Sequence, residues 1–300
     1  MDLSGVLLPA VTPFDQKTGN VDVEAACSNL RAWLLHPIRG VIIAGSTGEG
    51  VLLEEHERRT LLLAARAVVP ADRWLVMGTG GESTRITIQR CSTSGEMGAD
   101  AVLVQPPAFY RPAMTPEALA GHYRAVADAS PVPVILYQVP LAYSTLELPT
   151  GLVVELSGHE NIIGIKDSRG SLDLIGELVE SCRDGFQVLS GRANTVYASL
   201  EVGAVGAVLA LANADPARAV GIVSAFAAGR DVEGGRLQEG FARVHDAVAP
   251  HGVGGIKAAV DLIGLHGGDP RPPLRPLPER ARSDVRKALE EAVLAPARVS

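Results

Sequence analysis

The sequence predicts a (β/α)8 barrel followed by a helical extension. Three observations support this prediction. Apolar runs typical of strands alternate with helical patterns through most of the 300-residue chain. Eight such units fit in about 210 residues, roughly 26 for each strand and its helix, which suits a (β/α)8 barrel. Beyond residue 230 the pattern is only helical, which predicts the extension.

The strands are predicted from eight short apolar runs. Several runs are almost continuously apolar, as expected of parallel strands that are buried on both faces. In chain order they cover residues 5–10, 40–44, 74–78, 101–105, 132–137, 162–166, 186–189 and 204–209.

Helical periodicity fills the intervals between these runs. Thr115 followed by Pro116 marks one helix start, because threonine caps a helix and proline fits its first turn. Ser83 and Ser171 are predicted to cap two further helices. The predicted helices cover 21–35, 54–69, 83–97, 115–129, 148–158, 171–183, 192–202 and 215–228, and in the tail 231–248, 254–264 and 279–294. We therefore expect a catalytic barrel over 1–230 and a helical extension over 231–300 packed on it.

The main rival fold is a doubly wound sheet. That fold usually opens with a glycine-rich dinucleotide loop after its first strand. Here the first strand runs into Thr12-Pro13-Phe14 instead, so the pattern favours the barrel.

Composition excludes several classes of function. A net charge of −7 and an aromatic content of 4% disfavour nucleic-acid binding. No apolar run reaches the roughly 18 residues of a membrane helix. The first residues lack a signal-peptide pattern, so a cytoplasmic protein is expected. Neither a metal nor another cofactor is expected, because the seven histidines show no ligand spacing and three cysteines are scattered, at Cys27, Cys91 and Cys182.

Lysine is scarce, and its few positions indicate where chemistry lies. The chain has 23 arginines but only four lysines. Lys17 lies in a polar turn, and Lys257 and Lys287 lie in helical patterns of the tail. Lys166 alone ends an apolar strand, and barrel enzymes place their catalytic groups at such strand ends.

Strand alternation predicts the direction of the Lys166 side chain. Side chains two apart share a face, so Gly164, Lys166 and Ser168 lie on one face, while Ile163 and Ile165 lie on the other. If the isoleucines face the helices, Lys166 points into the barrel, where burial favours the neutral amine that Schiff-base chemistry requires. The structural alternatives are an ion pair with the neighbouring Asp167 or a lysine that reaches the rim.

Two further features accompany this lysine. Tyr137 ends the preceding strand, so its phenol is expected near Lys166, where it could move protons; the alternative is a tyrosine that caps the core. The loop 45–50, Gly-Ser-Thr-Gly-Glu-Gly, exposes backbone amides that can hold a carboxylate or a phosphate, although glycines also serve simply as turns.

Several motifs together resemble one family. Residues 45–49 (Gly-Ser-Thr-Gly-Glu), 137–140 (Tyr-Gln-Val-Pro) and 164–168 (Gly-Ile-Lys-Asp-Ser) are similar in order and place to the dihydrodipicolinate synthase / N-acetylneuraminate lyase superfamily. The resemblance covers the whole chain. It implies a (β/α)8 barrel, typically a homotetramer, in which a lysine of the sixth strand forms a Schiff base with pyruvate or another 2-oxo acid.

The resemblance assigns roles to particular residues. It makes Lys166 the Schiff-base residue and Tyr137 the phenol that shuttles protons. Ser46 and Thr47 correspond to the hydroxyl and amide groups that hold the substrate carboxylate. Thr47 is also expected to act with Tyr137 in a relay of three hydroxyls.

The third hydroxyl of that relay comes from the loop after the fourth strand, across a dimer interface in this family. Counting back from Arg111 and Pro112 places Phe109 at the position of the family's tyrosine, with Tyr110 one residue later. We take Tyr110 as the candidate. The resemblance also implies that the pyruvyl pocket is lined by Gly191 and Val208.

One departure points to a branch of the family. The synthases of this family carry an arginine shortly after Tyr-x-Val-Pro, and this arginine binds the carboxylate of the second substrate. This chain has Ala142 at that place. The stretches 80–84, 122–123, 146–149 and 165–168 resemble most the 4-hydroxy-2-oxoglutarate aldolase branch, which also lacks that arginine and has a serine at the position of Ser168. That branch has asparagine where this chain has Thr47.

These observations predict a class I aldolase that cleaves a 4-hydroxy-2-oxo acid to pyruvate and an aldehyde, with Ser168 a candidate contact for the distal carboxylate. The alternatives within the family are dihydrodipicolinate synthase and a sugar-acid lyase or dehydratase. An alternative outside this class is a barrel that binds a 2-oxo acid without turnover.

Overall fold

Eight parallel strands close into a barrel in a computed structural model that describes residues 1–294. Each strand pairs with the next one in the chain, and β1 pairs with β8. The strands β1 to β8 are Gly5–Pro9, Gly40–Ile43, Trp74–Gly78, Ala101–Val104, Val134–Gln138, Ile162–Asp167, Gln187–Ser190 and Gly206–Val208. The predicted (β/α)8 fold is therefore confirmed.

Helices follow the strands and surround the barrel. Helices α1 to α11 are Val23–Trp33, Glu55–Val68, Thr84–Glu96, Pro116–Ala129, Thr150–Ser157, Leu172–Ser181, Val196–Glu201, Pro216–Ala227, Asp231–Val248, Gly252–Leu262 and Glu279–Leu294. The predicted caps are confirmed: the hydroxyls of Ser83, Thr115 and Ser171 each accept a hydrogen bond from a first-turn amide. Within residues 1–294, no helix combines the length and apolar character of a membrane span.

Apolar side chains inside the barrel form one cluster, and those between the sheet and the helices form two others. The interior cluster includes Leu7, Ile42, Leu103, Ile135 and Val208, all almost fully buried. Strand alternation produces this division, because successive side chains point to opposite faces of the sheet.

The C-terminal helices pack directly on the barrel. Phe241 and Val244 of α9 are completely buried and belong to the same apolar cluster as Ala219 and Ile222 of α8. Burial of a side chain such as Phe241 contributes about 1.5–3 kcal/mol. The predicted boundary at residue 230 lies between α8 and α9, but the apolar cluster continues across it. The division into a barrel and an extension stays a prediction. Residues 295–300 of the predicted extension lie outside the described part of the chain.

Candidate active site

Lys166 and Tyr137 lie side by side at the carboxyl ends of neighbouring strands. They are direct partners in the register of β5 and β6. Both side chains are buried, with 5% of Lys166 and 2% of Tyr137 exposed. The Lys166 Nζ atom lies 4.1 Å from the centroid of the Tyr137 ring, a cation–π distance. The structure thus places an amine and a phenol together inside the barrel mouth.

Strand β6 contains an irregularity that the alternation rule misses. Ile165 packs in the outer cluster with Ile175 and Leu178 of α6, as predicted. The prediction that Ile163 also faces the helices is wrong, because Ile163 packs against the interior cluster. The pairing of β6 with β5 shifts by one residue here, because Val134 pairs with Ile162 but Ile135 pairs with Gly164. The extra residue in β6 interrupts the regular alternation of side chains between the two faces of the sheet. Beyond the irregularity the predicted direction holds, and Lys166 faces inward.

The Lys166 amine forms neither an ion pair nor a hydrogen bond with any residue in the range 1–294. The Asp167 carboxylate, its neighbour in sequence, binds Arg169 instead: Oδ2 accepts from Nε at 2.9 Å, and Oδ1 accepts from the Arg169 amide at 2.8 Å. Asp167 and Arg169 are both buried, so this pairing neutralises the carboxylate. The structure therefore contains an Asp167–Arg169 ion pair in place of the alternative Lys166–Asp167 pair.

The loop after β2 carries Ser46 and Thr47 at the same end of the barrel. Thr47 is buried and Ser46 is half-buried. The chain is tightly folded here, because Ala44 and Glu49 have φ values of 51° and 56°. Both values lie in the left-handed region, which costs energy for residues other than glycine. Gly50 is required by this packing, since a Cβ atom there would lie 1.9 Å from the Ala44 carbonyl oxygen.

A buried ion pair holds this loop against the C-terminal helices. Lys257 of α10 and Glu49 are completely buried, with Nζ 2.7 Å from Oε1. The same amine donates to the carbonyl oxygens of Thr12 at 2.8 Å and Asp269 at 2.9 Å. Burial lowers the pKa of Lys257, and the Glu49 carboxylate opposes that shift. The sequence pattern predicts that Lys257 lies in a helix of the tail, but it does not predict the ion pair with Glu49.

Arg271 and Arg58 complete the support of the loop. The Arg271 amide donates to Glu49 Oε2 at 2.7 Å, and its guanidinium binds both oxygens of Glu57. The guanidinium of Arg58 is buried and donates to the carbonyl oxygens of Gly50 and Gly78. Burial lowers the pKa of Arg58 to about 10. These contacts fix the backbone of the loop, so the amides near Ser46 and Thr47 are held in one arrangement.

Gln138 fixes the loop that follows β5. Its side chain is completely buried, although it is polar. Its Oε1 atom accepts from the Leu148 amide at 2.6 Å, and its Nε2 atom donates to the Val139 carbonyl oxygen at 3.0 Å. These bonds hold both ends of the segment 139–148, which includes Ala142 and Tyr143. Gln138 was not among the predicted site residues, although a polar residue at the end of an apolar strand is a signal for such a role.

The other predicted pocket residues lie at the ends of β6, β7 and β8. Ser168 is buried, and its amide donates to the Gln138 carbonyl oxygen at 3.0 Å. A Cβ atom on Gly191 would lie 2.0 Å from the Ser168 hydroxyl oxygen, so only glycine fits there. Val208 ends β8 inside the barrel. The fold thus brings these three residues to the same end of the barrel as Lys166.

Phe109 and Tyr110 stand apart from this buried group. Their rings pack edge to face, with centroids 5.1 Å apart, and they are 78% and 70% exposed. Glu82 orders the loop, because its carboxylate accepts from the amides of Ala108 and Phe109. A single chain therefore leaves the Tyr110 hydroxyl outside the pocket of Lys166 and Tyr137.

A cleft of about 460 Å³ opens above the barrel mouth. Ser46 lines the cleft, as does Val139, which packs in the same interior cluster as Tyr137. Tyr143 forms part of the wall, and the tail supplies His251 and Arg275. Within the described part of the chain, histidine, cysteine and carboxylate side chains do not gather in groups of three or more that could hold a metal ion.

This arrangement suits carbonyl chemistry. An unpaired, enclosed amine can attack an electrophilic carbon, and the adjacent phenol can give and receive protons. Backbone amides in the loop 45–50 can bind an anionic group next to the reacting carbon. The cleft provides room for the remainder of a small substrate.

Comparison with known proteins agrees with this description. A model of the dihydrodipicolinate synthetase family matches residues 2–292. A probable mitochondrial 4-hydroxy-2-oxoglutarate aldolase of Emericella nidulans is 33% identical, over 96% of this chain and 94% of the relative. A dihydrodipicolinate synthase structure from Bacillus anthracis has a TM-score of 0.90 at 29% identity, over 97% of this chain and 98% of that one. A prophage protein of E. coli K12, solved with pyruvate, has a TM-score of 0.89 at 26% identity, over 97% and 99%.

Proposed function

Because the chain belongs to the dihydrodipicolinate synthetase family, we propose that it is a class I aldolase. Its substrate is a 4-hydroxy-2-oxo acid such as 4-hydroxy-2-oxoglutarate, and its products are pyruvate and an aldehyde. The observation that carries the proposal is the placement of Lys166 against Tyr137, with an amine that is unpaired among the described residues. That a structure of the E. coli family member contains pyruvate supports a pyruvate-forming reaction.

The proposed reaction begins when Lys166 Nζ attacks C2 of the substrate. Tyr137 gives its proton to the carbinolamine hydroxyl, which leaves as water, and an iminium forms. Tyr137 then takes the proton of the C4 hydroxyl while the C3–C4 bond breaks, and the electron pair of that bond moves to the iminium. An aldehyde and the enamine of pyruvate result. Protonation at C3 and hydrolysis release pyruvate and restore the lysine.

The loop after β2 binds the C1 carboxylate in this proposal. Ser46 and Thr47 donate to it from hydroxyl and amide groups, and Gly191 and Val208 border the pyruvyl group. Thr47 also passes protons between Tyr137 and solvent. Tyr110 takes part only if a second copy of the chain brings it to the pocket, which agrees with its exposure in a single chain. The proposal also includes a cytoplasmic homotetramer, the assembly that the resemblance to the family implies.

The choice of the aldolase over the synthase depends on the loop after β5. Residues 141–144, Leu-Ala-Tyr-Ser, contain no cation that could bind a second substrate's carboxylate. The similarity to the aldolase of Emericella nidulans also supports the aldolase. Dihydrodipicolinate synthase remains the second candidate, because the synthase from Bacillus anthracis has the same fold along almost the whole chain.

We expect the protein to cleave 4-hydroxy-2-oxoglutarate better than it condenses pyruvate with aspartate semialdehyde. Hydrogen bonds to a charged group contribute about 1.5–3 kcal/mol, so the lack of an arginine in that loop should weaken the condensation by about 10–100-fold. The measurement is kcat/KM for both reactions in the unmodified protein. A preference for the semialdehyde would assign the chain to the synthases. Binding of 4-hydroxy-2-oxoglutarate and of pyruvate without any product would exclude the aldolase and the synthase, and would leave a sugar-acid lyase or dehydratase and the non-catalytic barrel.

The Tyr137→Phe variant tests the phenol. It keeps the packing of the ring and removes the hydroxyl, so we expect kcat to fall by about 10²–10⁴-fold, the usual contribution of general acid–base catalysis. The melting temperature should change little. Tyr123→Phe is a matched control, since Tyr123 is also buried but packs outside the barrel. A nearly normal kcat in Tyr137→Phe would show that Tyr137 only fills space.

A further inference from the structure

One wall of the cleft comes from the C-terminal tail and carries a positive charge. Arg275 lies in the segment between α10 and α11, and it lines the same cleft as Ser46 and Tyr143. Its side chain is exposed. Within residues 1–294, its guanidinium forms neither a hydrogen bond nor an ion pair. A planar guanidinium with free donors is well suited to a carboxylate.

The acidic residues of the cleft do not neutralise Arg275. Glu49 is bound to the Lys257 amine and to the Arg271 amide. Glu82 accepts from the amides of Ala108 and Phe109 at 3.1 and 2.9 Å. Both carboxylates therefore have partners of their own.

The segment that carries Arg275 is firmly held. Four residues earlier, Arg271 is bound to Glu49, Glu57 and the Gly19 carbonyl oxygen. The backbone of Arg275 lies against α10, since a Cβ atom on Gly254 would be 3.0 Å from the Arg275 carbonyl oxygen. A charge on a fixed segment loses less conformational freedom when it binds a ligand than one on a mobile loop.

Tyr143 also lines the cleft, in the loop that follows the strand of Tyr137. Tyr143 is 56% exposed, and its hydroxyl would lie 3.6 Å from a Cβ atom on Gly252, at the start of α10. Burial and the nearby Tyr137 raise the pKa of Tyr143. Like any tyrosine hydroxyl at neutral pH, it can donate a hydrogen bond.

We propose that Arg275, assisted by the Tyr143 hydroxyl, binds the distal carboxylate of the substrate, so that the enzyme selects five-carbon 2-oxo diacids. This inference rests on the proposed function, because it assumes that the 2-oxo group reacts with Lys166. It places the specificity-determining charge in the tail rather than in the loop after β5, and it leaves Ser168, the candidate from the sequence, as an uncharged contact of the same carboxylate. Aspartate semialdehyde carries an ammonium group beside its carboxylate, so the guanidinium attracts one group and repels the other and should bind it more weakly than it binds the isolated distal carboxylate of a 2-oxo diacid.

Trapping with cyanoborohydride tests the inference without requiring turnover. The reagent reduces the imine between Lys166 and a 2-oxo acid to a stable secondary amine. The two probes are 2-oxoglutarate and 2-oxopentanoate, which have the same chain length but differ in the distal carboxylate. The measured quantity is the ratio of their half-saturating concentrations. We expect the unmodified protein to favour 2-oxoglutarate by about 10–100-fold, as charge-assisted hydrogen bonds allow.

The variants then locate the origin of that preference. Arg275→Met should remove most of it, and Tyr143→Phe should reduce it by a smaller factor. Arg280→Met is the matched control, because Arg280 is also exposed in the tail but does not line the cleft; this variant should keep the full preference. No preference in the unmodified protein, or an unchanged preference in Arg275→Met, would overturn the inference. If pyruvate itself gives no adduct, the proposed function fails instead.

Discussion

Replacement of Lys166 by methionine is expected to abolish cleavage of 4-hydroxy-2-oxo acids. Methionine fills a similar space but has no amine, so no Schiff base can form. Loss of a catalytic nucleophile lowers kcat by on the order of 10⁴-fold or more. Because Lys166 has no hydrogen bond or ion pair to lose among residues 1–294, the melting temperature should stay close to that of the unmodified protein. The measurement is pyruvate release coupled to lactate dehydrogenase, together with thermal unfolding.

Lys17→Met is the matched control for this variant. Lys17 is exposed in a turn and does not line the cleft, so its replacement should leave turnover intact. The assignment of Lys166 would be refuted by a Lys166→Met variant that is folded and keeps substantial activity.

Replacement of Lys257 by methionine is expected to lower the free energy of unfolding by about 3–5 kcal/mol, the usual cost of removing one partner of a buried ion pair. Among residues 1–294, the substitution leaves the buried Glu49 carboxylate with the Arg271 amide as its one remaining partner. It also removes the donor to the carbonyl oxygens of Thr12 and Asp269. Urea unfolding followed by circular dichroism measures the change.

A double-mutant cycle separates the ion pair from the loss of packing. Glu49→Gln removes the charge that Lys257→Met leaves unpaired, so the double variant should be less destabilised than the sum of the single variants. Lys17→Met should change stability by less than about 0.5 kcal/mol, as expected for a surface site. Additive single effects would show that the pair contributes little coupling.

The barrel could be predicted from the sequence because its signals are local. Each strand is a short apolar run, and each helix has its own periodicity and often its own cap, such as Thr115 or Ser171. The direction of Ile163 could not be predicted, because the irregularity in β6 depends on its pairing with β5. Pairing between strands is not encoded in the alternation of one strand.

The candidate site was predictable in part. Lys166 and Tyr137 end adjacent strands, so the barrel topology alone places them together. The ion pair that supports the loop after β2 was not predictable, because its partners Glu49 and Lys257 are 208 residues apart in the sequence. One signal was available: Lys257 is the single charged residue of the otherwise apolar stretch 252–260. Arg58 lies in a charged stretch that is typical of a surface, yet tertiary contacts bury it.

The central claim is that Lys166 forms a Schiff base with a 2-oxo acid. The most direct measurement is borohydride reduction of the unmodified protein in the presence of pyruvate, followed by peptide mass spectrometry. We expect one reduced pyruvyl group per chain, located on Lys166. An adduct on Lys17, Lys257 or Lys287, or an active protein that forms no adduct, would contradict it.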